Sequence, residues 1–257
     1  MKTHSERLQK QLYDSLCSEY EKHYGDRWSH AYRDRFINDA MLRDIDVSGK
    51  QVLEAMCGSG ETTGYLLKKS ACVTGLDISE KEIERFRQRW PGCPGRCASI
   101  FETGFESDSF DCVLVMNGLH HVQPHVARAV REILRVLKPG GHFLFTEPHQ
   151  GSFPDTVRRI WYRHDPFFAA NEEAVDIAAL KREFSPEFDF LSECYKGNLA
   201  YLLVLNSLIF RMPLTAKERL SPLLLNLEAV IESVQGKRLS CIAVSQWRKR
   251  FDARMVA

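Results

Sequence analysis

The feature that most constrains the fold is a regular alternation of strand-like and helical segments between Gly49 and Pro148. The candidate strands are QVLEAM, ACVTGLD, RCASIF, FDCVLVMN and HFLFTEP. Between them, SEKEIERFRQRW begins with Ser79 and Glu82 at capping-box spacing, and HVARAVREILRVL places its apolar residues on one helical face. Such alternation is typical of βα units around a parallel sheet, so the sequence predicts a doubly wound α/β fold.

The segments on either side of this region predict helical additions. Residues 1–48 are charged, helical in pattern and rich in aromatic residues, which predicts an N-terminal helical cap. Residues 49–257 then form the α/β domain, which ends with the strand-like segment LSCIAVSQWRK. Proline-containing stretches at about 149–186 and 197–236 predict helical lid insertions within that domain.

The charge balance disfavours a polyanionic partner. The chain has 35 Lys and Arg against 34 Asp and Glu, so no overall field attracts nucleic acid or an anionic membrane. The longest apolar run, LAYLLVLNSLIF, is too short to span a bilayer. The charged N-terminus has no apolar signal-peptide core. We therefore expect a cytoplasmic protein without stable membrane insertion and without a nucleic acid partner.

The cysteines indicate neither a disulfide framework nor a metal site. All 8 are scattered, and no C-x-x-C pair occurs. We expect free thiols and no bound metal. The sequence leaves the oligomeric state open.

The stretch VLEAMCGSGETTG places an acid and two closely spaced glycines at the end of the first candidate strand. Ligands of open α/β sheets bind at this carboxyl edge, and Gly58 and Gly60 let the backbone approach a ligand where a helix begins. A dinucleotide-binding turn would read G-x-G-x-x-G, but Thr63 occupies the third glycine position. Because Glu54 would repel a pyrophosphate and attract a cation, the turn predicts a cationic ligand.

A second acid, Asp77, ends the next candidate strand, seventeen positions after Gly60. In dinucleotide folds an acid about twenty residues past the glycine turn accepts hydrogen bonds from a ribose. The predicted ligand is therefore a nucleoside. Two further turns follow strands at the same edge, NGLHHV and the end of LKPGGHFLFTEP at Glu147.

Taken together, VLEAMCGSGET, VTGLDIS, SFDCVLVMNGLHHV and EILRVLKPGGHFLFTEP resemble the ordered motifs of class I S-adenosylmethionine-dependent methyltransferases, in particular the methyltransferase type 11 group. The resemblance is close over residues 50–148. It implies a Rossmann-like methyltransferase fold with a mostly parallel seven-stranded sheet. It also implies S-adenosyl-L-methionine as cofactor and in-line methyl transfer to a small molecule.

The resemblance assigns cofactor-binding roles to individual residues. Glu54 matches the acid that faces the methionine amino group, Asp77 matches the ribose acid, and the backbone at Asn117 matches a site for the methionine ammonium. The predicted cofactor-binding residues are Tyr20, Glu54, Ala55, Met56, Gly58, Ser59, Gly60, Asp77, Ile78, Ser99, Ile100, Asn117 and Gly118.

Two positions depart from the family pattern. Met56 stands where glycine is usual and would narrow the turn, and Ser99 replaces an acid near the adenine amino group. The missing carboxylate removes one hydrogen bond worth about 0.5–1.5 kcal/mol, so binding is still expected. These departures keep open a non-catalytic member of the fold that binds cofactor or scaffolds a partner.

His120 and His121 are the candidate catalytic residues. A general base is needed only if the methylated atom starts protonated, and histidine, with an ordinary pKa of about 6.5, can take that proton at neutral pH. Packing in the pocket wall is the other interpretation of this pair. His149, directly after the fifth candidate strand, is a rival base.

The acceptor is only broadly indicated. Apolar and aromatic residues in the predicted lid favour an apolar or aromatic small molecule. RNA or protein remains an alternative acceptor, disfavoured by the neutral charge and by the lack of an Asn-Pro-Pro-Tyr type motif. The sequence leaves open whether O, N or C is methylated.

Overall fold

The computed structural model describes residues 22–162 and 173–251. Its strands are β1 (Gln51–Ala55), β2 (Cys72–Asp77), β3 (Gly95–Cys97), β4 (Phe110–Met116), β5 (Leu137–Pro148), β6 (Phe188–Lys196) and β7 (Ile242–Lys249). They form one sheet in the order β3-β2-β1-β4-β5-β7-β6. β1 to β5 pair in parallel, and β7 runs antiparallel to both of its neighbours. The predicted doubly wound, mostly parallel seven-stranded sheet is confirmed.

Helices cover both faces of this sheet. They are α1 (Arg27–Tyr32), α2 (Thr63–Lys68), α3 (Glu80–Arg89), α4 (Val126–Val136), α5 (Phe153–Tyr162), α6 (Ile177–Glu183) and α7 (Leu214–Glu232). α1 continues through a π-helical stretch (Arg33–Asn38) into a last turn (Asp39–Met41), and we call this whole segment the cap helix. Shorter helical segments are Leu119–Val122, Tyr201–Leu205 and Lys237–Leu239.

The sheet separates two apolar cores. Val52 of β1 packs in a core with Tyr32 and Phe36 of the cap helix, whereas the next residue, Leu53, packs in a core with Ile133 of α4. Successive strand residues point to opposite faces, so one strand serves both cores. Strands covered on both faces are buried along continuous stretches, residues 52–55 in β1 and 112–115 in β4.

Helix signals in the sequence act as predicted. The Ser79 hydroxyl accepts a hydrogen bond from the Glu82 backbone N–H and so caps α3. The predicted apolar face of α4 is buried, comprising Val126, Ala129, Val130, Ile133 and Val136. None of the helices in residues 22–162 and 173–251 is long and apolar enough to cross a bilayer.

The predicted third strand is wrong beyond Cys97. β3 ends there, and the following residues form a turn in which Ser99 bridges to Glu102. The Ser99 hydroxyl accepts from the Phe101 N–H at 3.1 Å. Because Ile100 is buried at this turn, burial rather than strand pairing explains the apolar residues of RCASIF.

The cap helix and α7 are joined by buried polar contacts. The ammonium of Lys217, 2% exposed, donates to Ser29 Oγ at 2.8 Å and pairs with Asp26. The Tyr32 hydroxyl donates to Glu228 Oε1 at 3.0 Å. A buried charge is stable only when paired and hydrogen-bonded, so these contacts hold the two helices together.

Candidate active site

The carboxyl ends of β1, β2, β4 and β5 meet at one edge of the sheet. The register pairs Ala55 of β1 with Leu76 of β2 and Val115 of β4, and it pairs Met116 of β4 with Thr146 of β5. The predicted turns that follow these strands are therefore neighbours, as expected for a ligand site in an open α/β sheet.

The glycine turn after β1 is held by its neighbours. Gly60 has a φ of 85°, and a Cβ there would meet the Trp90 ring nitrogen at 2.5 Å. That same nitrogen donates to the Ser59 carbonyl at 3.1 Å. Gly58, with a φ of 53°, differs because a Cβ there would meet, among residues 22–162 and 173–251, Glu82 alone, at 3.8 Å. The turn is thus packed at Gly60 and has room beside Gly58 for a ligand.

Asp77 joins the glycine turn to the start of α3. Its Oδ2 accepts from the Gly58 N–H at 2.9 Å, and its Oδ1 accepts from the Ser79 N–H at 2.9 Å. A carboxylate has about four acceptor positions, so these two bonds are compatible with additional bonds to ribose hydroxyls. Asp77 lies where the predicted role requires it and also shapes the turn.

Glu54 is buried, with 3% of its surface exposed. It accepts from the Thr62 N–H at 2.9 Å and from the Thr63 hydroxyl at 2.5 Å, at the start of α2. Burial raises the pKa of Glu54 to about 7, although these hydrogen bonds and the charge of Arg33 oppose the shift. A cationic ligand group beside Glu54 would stabilise the carboxylate.

Arg33 of the cap helix was not identified from the sequence. Its guanidinium is 1% exposed, donates to the Tyr24 carbonyl at 2.6 Å and lies 3.0 Å from the Glu61 carboxylate. Its Nε finds no hydrogen-bond partner in the part of the chain that the structure describes. Because a guanidinium matches a carboxylate in shape and charge, Arg33 is suited to bind one beside the glycine turn.

Met56 adopts a left-handed conformation, with a φ of 56°. This conformation is uncommon for residues other than glycine. The side chain packs on the next turn, because a Cβ on Gly118 would meet Met56 Sδ at 2.9 Å. Asn117 is also left-handed, and its N–H donates to the Thr146 carbonyl at 2.7 Å. Met56 therefore occupies space between the turns after β1 and β4.

Most of the remaining residues predicted to bind the cofactor lie around the carboxyl edge of the sheet, and one of them lies outside the described residues. Ile78 directly follows β2 and is half-buried, as is Ser99, whereas Ile100 is buried. Ala55 is the buried last residue of β1. Tyr20 lies outside the described residues.

Glu147, near the end of β5, binds the turn that follows β4. Its carboxylate is fully buried and accepts from the N–H groups of Gly118 at 2.8 Å, Leu119 at 2.6 Å and His120 at 3.2 Å. It also lies 2.8 Å from His120 Nδ1. Burial raises the pKa of Glu147 to about 7, while these backbone donors oppose the shift. Glu147 thus orients the His120 ring.

The two candidate histidines lie together. Their ring centres are 3.9 Å apart. Burial, together with the charge of Arg158 on α5, lowers the pKa of His120 to about 3. Burial also holds the pKa of His121 well below its ordinary value. Both imidazoles are therefore neutral at pH 7. At these lowered pKa values each is a weak base unless a neighbouring negative charge stabilises its imidazolium form.

His149 is occupied by structural contacts. Its Nε2 lies 3.0 Å from the Ser240 hydroxyl, and its Nδ1 lies 3.2 Å from the Gln150 carbonyl. Burial lowers its pKa. With both nitrogens engaged in these contacts, His149 is not available to accept a proton from a ligand.

The cysteines of the described ranges, which include 7 of the 8, are free thiols. Within these ranges no group of three or more His, Cys, Asp or Glu is arranged to hold a metal ion.

Comparison with known proteins shows which proteins this part of the chain is similar to. Residues 53–145 match the family model described as methyltransferase domain. A phthiotriol/phenolphthiotriol dimycocerosates methyltransferase of Mycobacterium tuberculosis is 37% identical over 107 residues, covering 40% of this chain and 39% of that protein. The chain thus spans about two fifths of the length of such relatives.

Solved structures are similar in fold. The cyclase SpnF superposes with a TM-score of 0.65 at 17% identity, over 97% of this chain and 98% of that one. The N-methyltransferase NodS of Bradyrhizobium japonicum, solved with S-adenosyl-L-homocysteine, gives a TM-score of 0.57 at 16% identity, over 93% and 98% of the two chains. At such identities the likeness establishes the predicted Rossmann-like methyltransferase fold, and activity must be argued from the site.

Proposed function

We propose that this chain is a class I S-adenosylmethionine-dependent methyltransferase that methylates a small, apolar or aromatic molecule. The match of residues 53–145 to a methyltransferase-domain model supports the proposal. The observation that carries the proposal is the charge arrangement at the sheet edge. Glu54 and the buried Arg33 lie near the glycine turn, with Asp77 hydrogen-bonded to that turn. One acid and one guanidinium match a zwitterionic amino acid group, and the second acid matches a ribose.

The residues present fit S-adenosylmethionine. Glu54 would hold the ammonium, Arg33 the carboxylate and Asp77 the ribose hydroxyls. Ile78 and Ile100 would contact the adenine, with Ser99 as a polar neighbour. When bound, the cofactor supplies an electrophilic methyl group on a sulfonium. Because Arg33 lies in the cap helix, its contact with the cofactor would link cofactor binding to cap position.

His120 is the proposed general base. Its Nδ1 is engaged by Glu147, so Nε2 is the nitrogen that would accept a proton from the acceptor. Glu147 would stabilise the resulting imidazolium, because the pair would then carry opposite charges. A base at this place favours an acceptor whose reacting atom starts protonated, such as a hydroxyl. Removing that proton generates a stronger nucleophile, and alignment of the reactants in a dry site supplies much of the remaining acceleration.

The proposed acceptor is apolar. By their names, the mycobacterial relatives act on phthiotriol and phenolphthiotriol dimycocerosates, which are lipid-like. A hydroxyl-bearing lipid-like molecule is compatible with both this similarity and the His120 and Glu147 pair. The division into cap (1–48) and α/β domain (49–257), the cytoplasmic location and the absence of a nucleic acid partner remain predictions.

A non-catalytic cofactor-binding role is the second candidate. The observation that favours this role concerns Met56. The family pattern has glycine at this position, and here the Met56 side chain fills space beside Gly118. A protein of this kind would bind the cofactor and transfer no methyl group.

The deciding experiment is calorimetric titration with S-adenosylmethionine and S-adenosylhomocysteine. Asp77→Ala is the test variant, and Asp46→Ala is its matched control. Asp46 is exposed and accepts from the Ser48 N–H at 2.9 Å, the same local bond that Asp77 makes with Ser79. We expect micromolar binding that Asp77→Ala abolishes and Asp46→Ala retains. No binding of either ligand by the folded protein would refute the methyltransferase proposal.

A second measurement separates catalysis from binding. Protein that binds the cofactor is incubated with radiolabelled S-adenosylmethionine and a panel of apolar compounds with and without hydroxyl groups. Transfer of label to the hydroxyl-bearing members supports the proposal. Tight binding with no transfer to any member would favour the non-catalytic role.

A further inference from the structure

The outer face of α7 is apolar and exposed. Its residues Leu220, Leu223, Leu227 and Val230, with Val234 just after the helix, are spaced three or four apart and so share one face. Leu223 is 58% exposed, Val230 is 66% exposed and Val234 is 84% exposed. The inner face of α7 is buried on the cap helix and on residues Tyr201–Leu205. α7 therefore exposes an apolar face opposite the side that packs on the rest of the protein.

No charge interrupts the outer face. Between Leu220 and Val234 the charged residues are Glu228 and Glu232. Glu228 is buried and accepts from the Tyr32 hydroxyl, while Glu232 pairs with Lys196 at 2.6 Å. A continuous exposed apolar stripe of this kind marks an interaction surface rather than ordinary solvated surface.

Exposed apolar residues also occur on α5. That helix packs against the turn Lys237–Leu239, whose Leu239 is 57% exposed. α5 itself exposes Phe153, Val157 and Ile160, which are four and three residues apart and lie on one helical side. We call the exposed apolar residues of α7, Leu239 and α5 together the apolar face.

The ends of this face are basic. Arg219 precedes the stripe and Arg238 follows it, and both are exposed and make no ion pair within the described ranges. Lys237 is also exposed and lies over the Tyr195 ring. The neighbouring acid Glu218 pairs with Arg27 and accepts from the Trp28 ring N–H at 2.7 Å. The unneutralised charge around the apolar face is therefore positive.

This charge distribution discriminates between occupants. In a symmetric dimer, antiparallel α7 helices would place Arg219 of one copy near Arg238 of the other, and parallel helices would place each arginine beside its own equivalent. Either pairing brings like charges together, which is unfavourable. A surface of anionic phospholipid instead offers acyl chains to the apolar side chains and phosphates to the arginines.

We propose that the apolar face docks peripherally on an anionic phospholipid bilayer, with α7 lying in the membrane interface. The helix would rest on the bilayer without crossing it, as interfacial amphipathic helices do. This mode of binding relies on a local patch and needs no overall positive charge.

The location of α5 connects this surface to the proposed acceptor. α5 begins five residues after β5, whose end carries Glu147. Arg158, on its inner side, pairs with Asp155 at 2.9 Å and lies within electrostatic range of His120. Docking would therefore bring the active-site edge close to the bilayer, where a lipid-like acceptor resides. This last step rests on the proposed function.

The test is co-sedimentation of the full chain with vesicles, without cofactor or acceptor. One set contains phosphatidylcholine alone, and the other contains equal parts of phosphatidylcholine and phosphatidylglycerol. We expect binding to the anionic vesicles that weakens as salt is added. Leu223→Ser with Val230→Ser should reduce this binding at least about tenfold. The matched control, Leu67→Ser with Leu191→Ser, alters two exposed leucines outside the face and should leave binding unchanged.

A charge variant provides the second arm. Arg219→Gln with Arg238→Gln should weaken binding to anionic vesicles about 30-fold, since each basic residue near such a surface contributes about 1 kcal/mol and about 1.4 kcal/mol corresponds to a factor of ten. Absence of vesicle binding, or equal loss in the Leu67 and Leu191 control, would overturn the proposal. Light scattering provides a further check. A dimer that the Leu223→Ser and Val230→Ser variant dissociates, in a protein that binds no vesicles, would overturn the proposal and show that the occupant of the apolar face is a second copy of this chain.

Calorimetry on the same preparations distinguishes this proposal from the function. Vesicle binding by a protein that does not bind S-adenosylhomocysteine would remove the methyltransferase proposal and retain the docking surface. Cofactor binding without vesicle binding would remove the docking surface and retain the methyltransferase proposal.

Discussion

Two buried glutamates at the same sheet edge illustrate how differently the two halves of the candidate site are built. Glu54 of β1 accepts from Thr62 and Thr63, which lie 8 and 9 residues later in its own βα unit. Glu147 of β5 accepts from Gly118, Leu119 and His120, which lie 29, 28 and 27 residues earlier, after a different strand. The acid beside the glycine turn is therefore held by its own βα unit, whereas the acid beside His120 holds a turn that follows a different strand.

The difference has an energetic consequence. Glu54 accepts hydrogen bonds from the start of α2, the helix that follows its own strand. The short connection between β1 and α2 therefore constrains the glycine turn in addition to these bonds. Glu147 alone supplies the acceptor for three consecutive N–H groups and also contacts the His120 ring. We therefore expect removal of Glu147 to disturb folding more than removal of Glu54.

The largest expected effect follows from Glu147→Ala. Loss of the carboxylate leaves three buried N–H groups without their acceptor, which should lower the free energy of unfolding by about 3–5 kcal/mol. Urea denaturation measures this change. Glu147→Gln, which keeps one carbonyl acceptor, is the matched control and should lose about half as much. A loss below about 1 kcal/mol for the alanine variant would contradict the cross-strand role.

The next effect separates the two histidines. His120→Ala should reduce methyl transfer by at least about 10²-fold, because it removes the proposed general base. The assay is initial rate with the acceptor found in the compound screen, together with calorimetry of S-adenosylhomocysteine, whose affinity should be retained. His121→Ala is the comparison, since the centre of its ring lies 3.9 Å from that of His120. Equal losses in both variants would indicate packing rather than proton transfer.

A smaller effect concerns Glu54 and pH. Its folded-state pKa of about 7 lies above the ordinary value of 4.5, so the folded state binds the proton more tightly and loses stability as pH rises from about 4.5 to about 7. Glu54→Gln removes this dependence and should raise the unfolding free energy, relative to the parent, by about 2–3 kcal/mol more at about pH 8 than at about pH 4.

Denaturation of both proteins at the two pH values measures the difference and cancels the other titrating groups they share. The same variant should bind S-adenosylhomocysteine more weakly, since the acid for the ammonium is gone. A difference in stability that does not change with pH would contradict this prediction. It would show that the pKa of Glu54 is the same in the folded and unfolded states.

The smallest effect concerns Met56. Met56→Gly relieves a left-handed conformation that costs about 1 kcal/mol, and it opens space beside Gly118. We expect several-fold tighter binding of S-adenosylhomocysteine by calorimetry. Met56→Ala removes the side chain and keeps the backbone strain, so it separates the two contributions. Unchanged affinity in both variants would mean that Met56 does not border the cofactor.

The accuracy of the sequence predictions follows this same division. The β1 turn, Asp77 and the start of α3 were predictable, because glycines, acids and a serine cap act over a few residues. The third strand was predicted too long, because the burial of Ile100 has the same apolar pattern as strand pairing. His120 was identified as a candidate, but its partner Glu147 was recognised only as a strand end.

By itself, the sequence determined the alternating α/β architecture, the parallel sheet and the positions of Glu54, Gly58, Gly60 and Asp77, because short-range periodicity and turn chemistry specify them. Only the tertiary structure decided that Arg33 is buried beside Glu61, that Glu147 holds His120, and that the outer face of α7 is left exposed. These depend on which elements pack together across long separations in the chain, and a residue's burial or exposure is a property of that packing rather than of its neighbours in sequence.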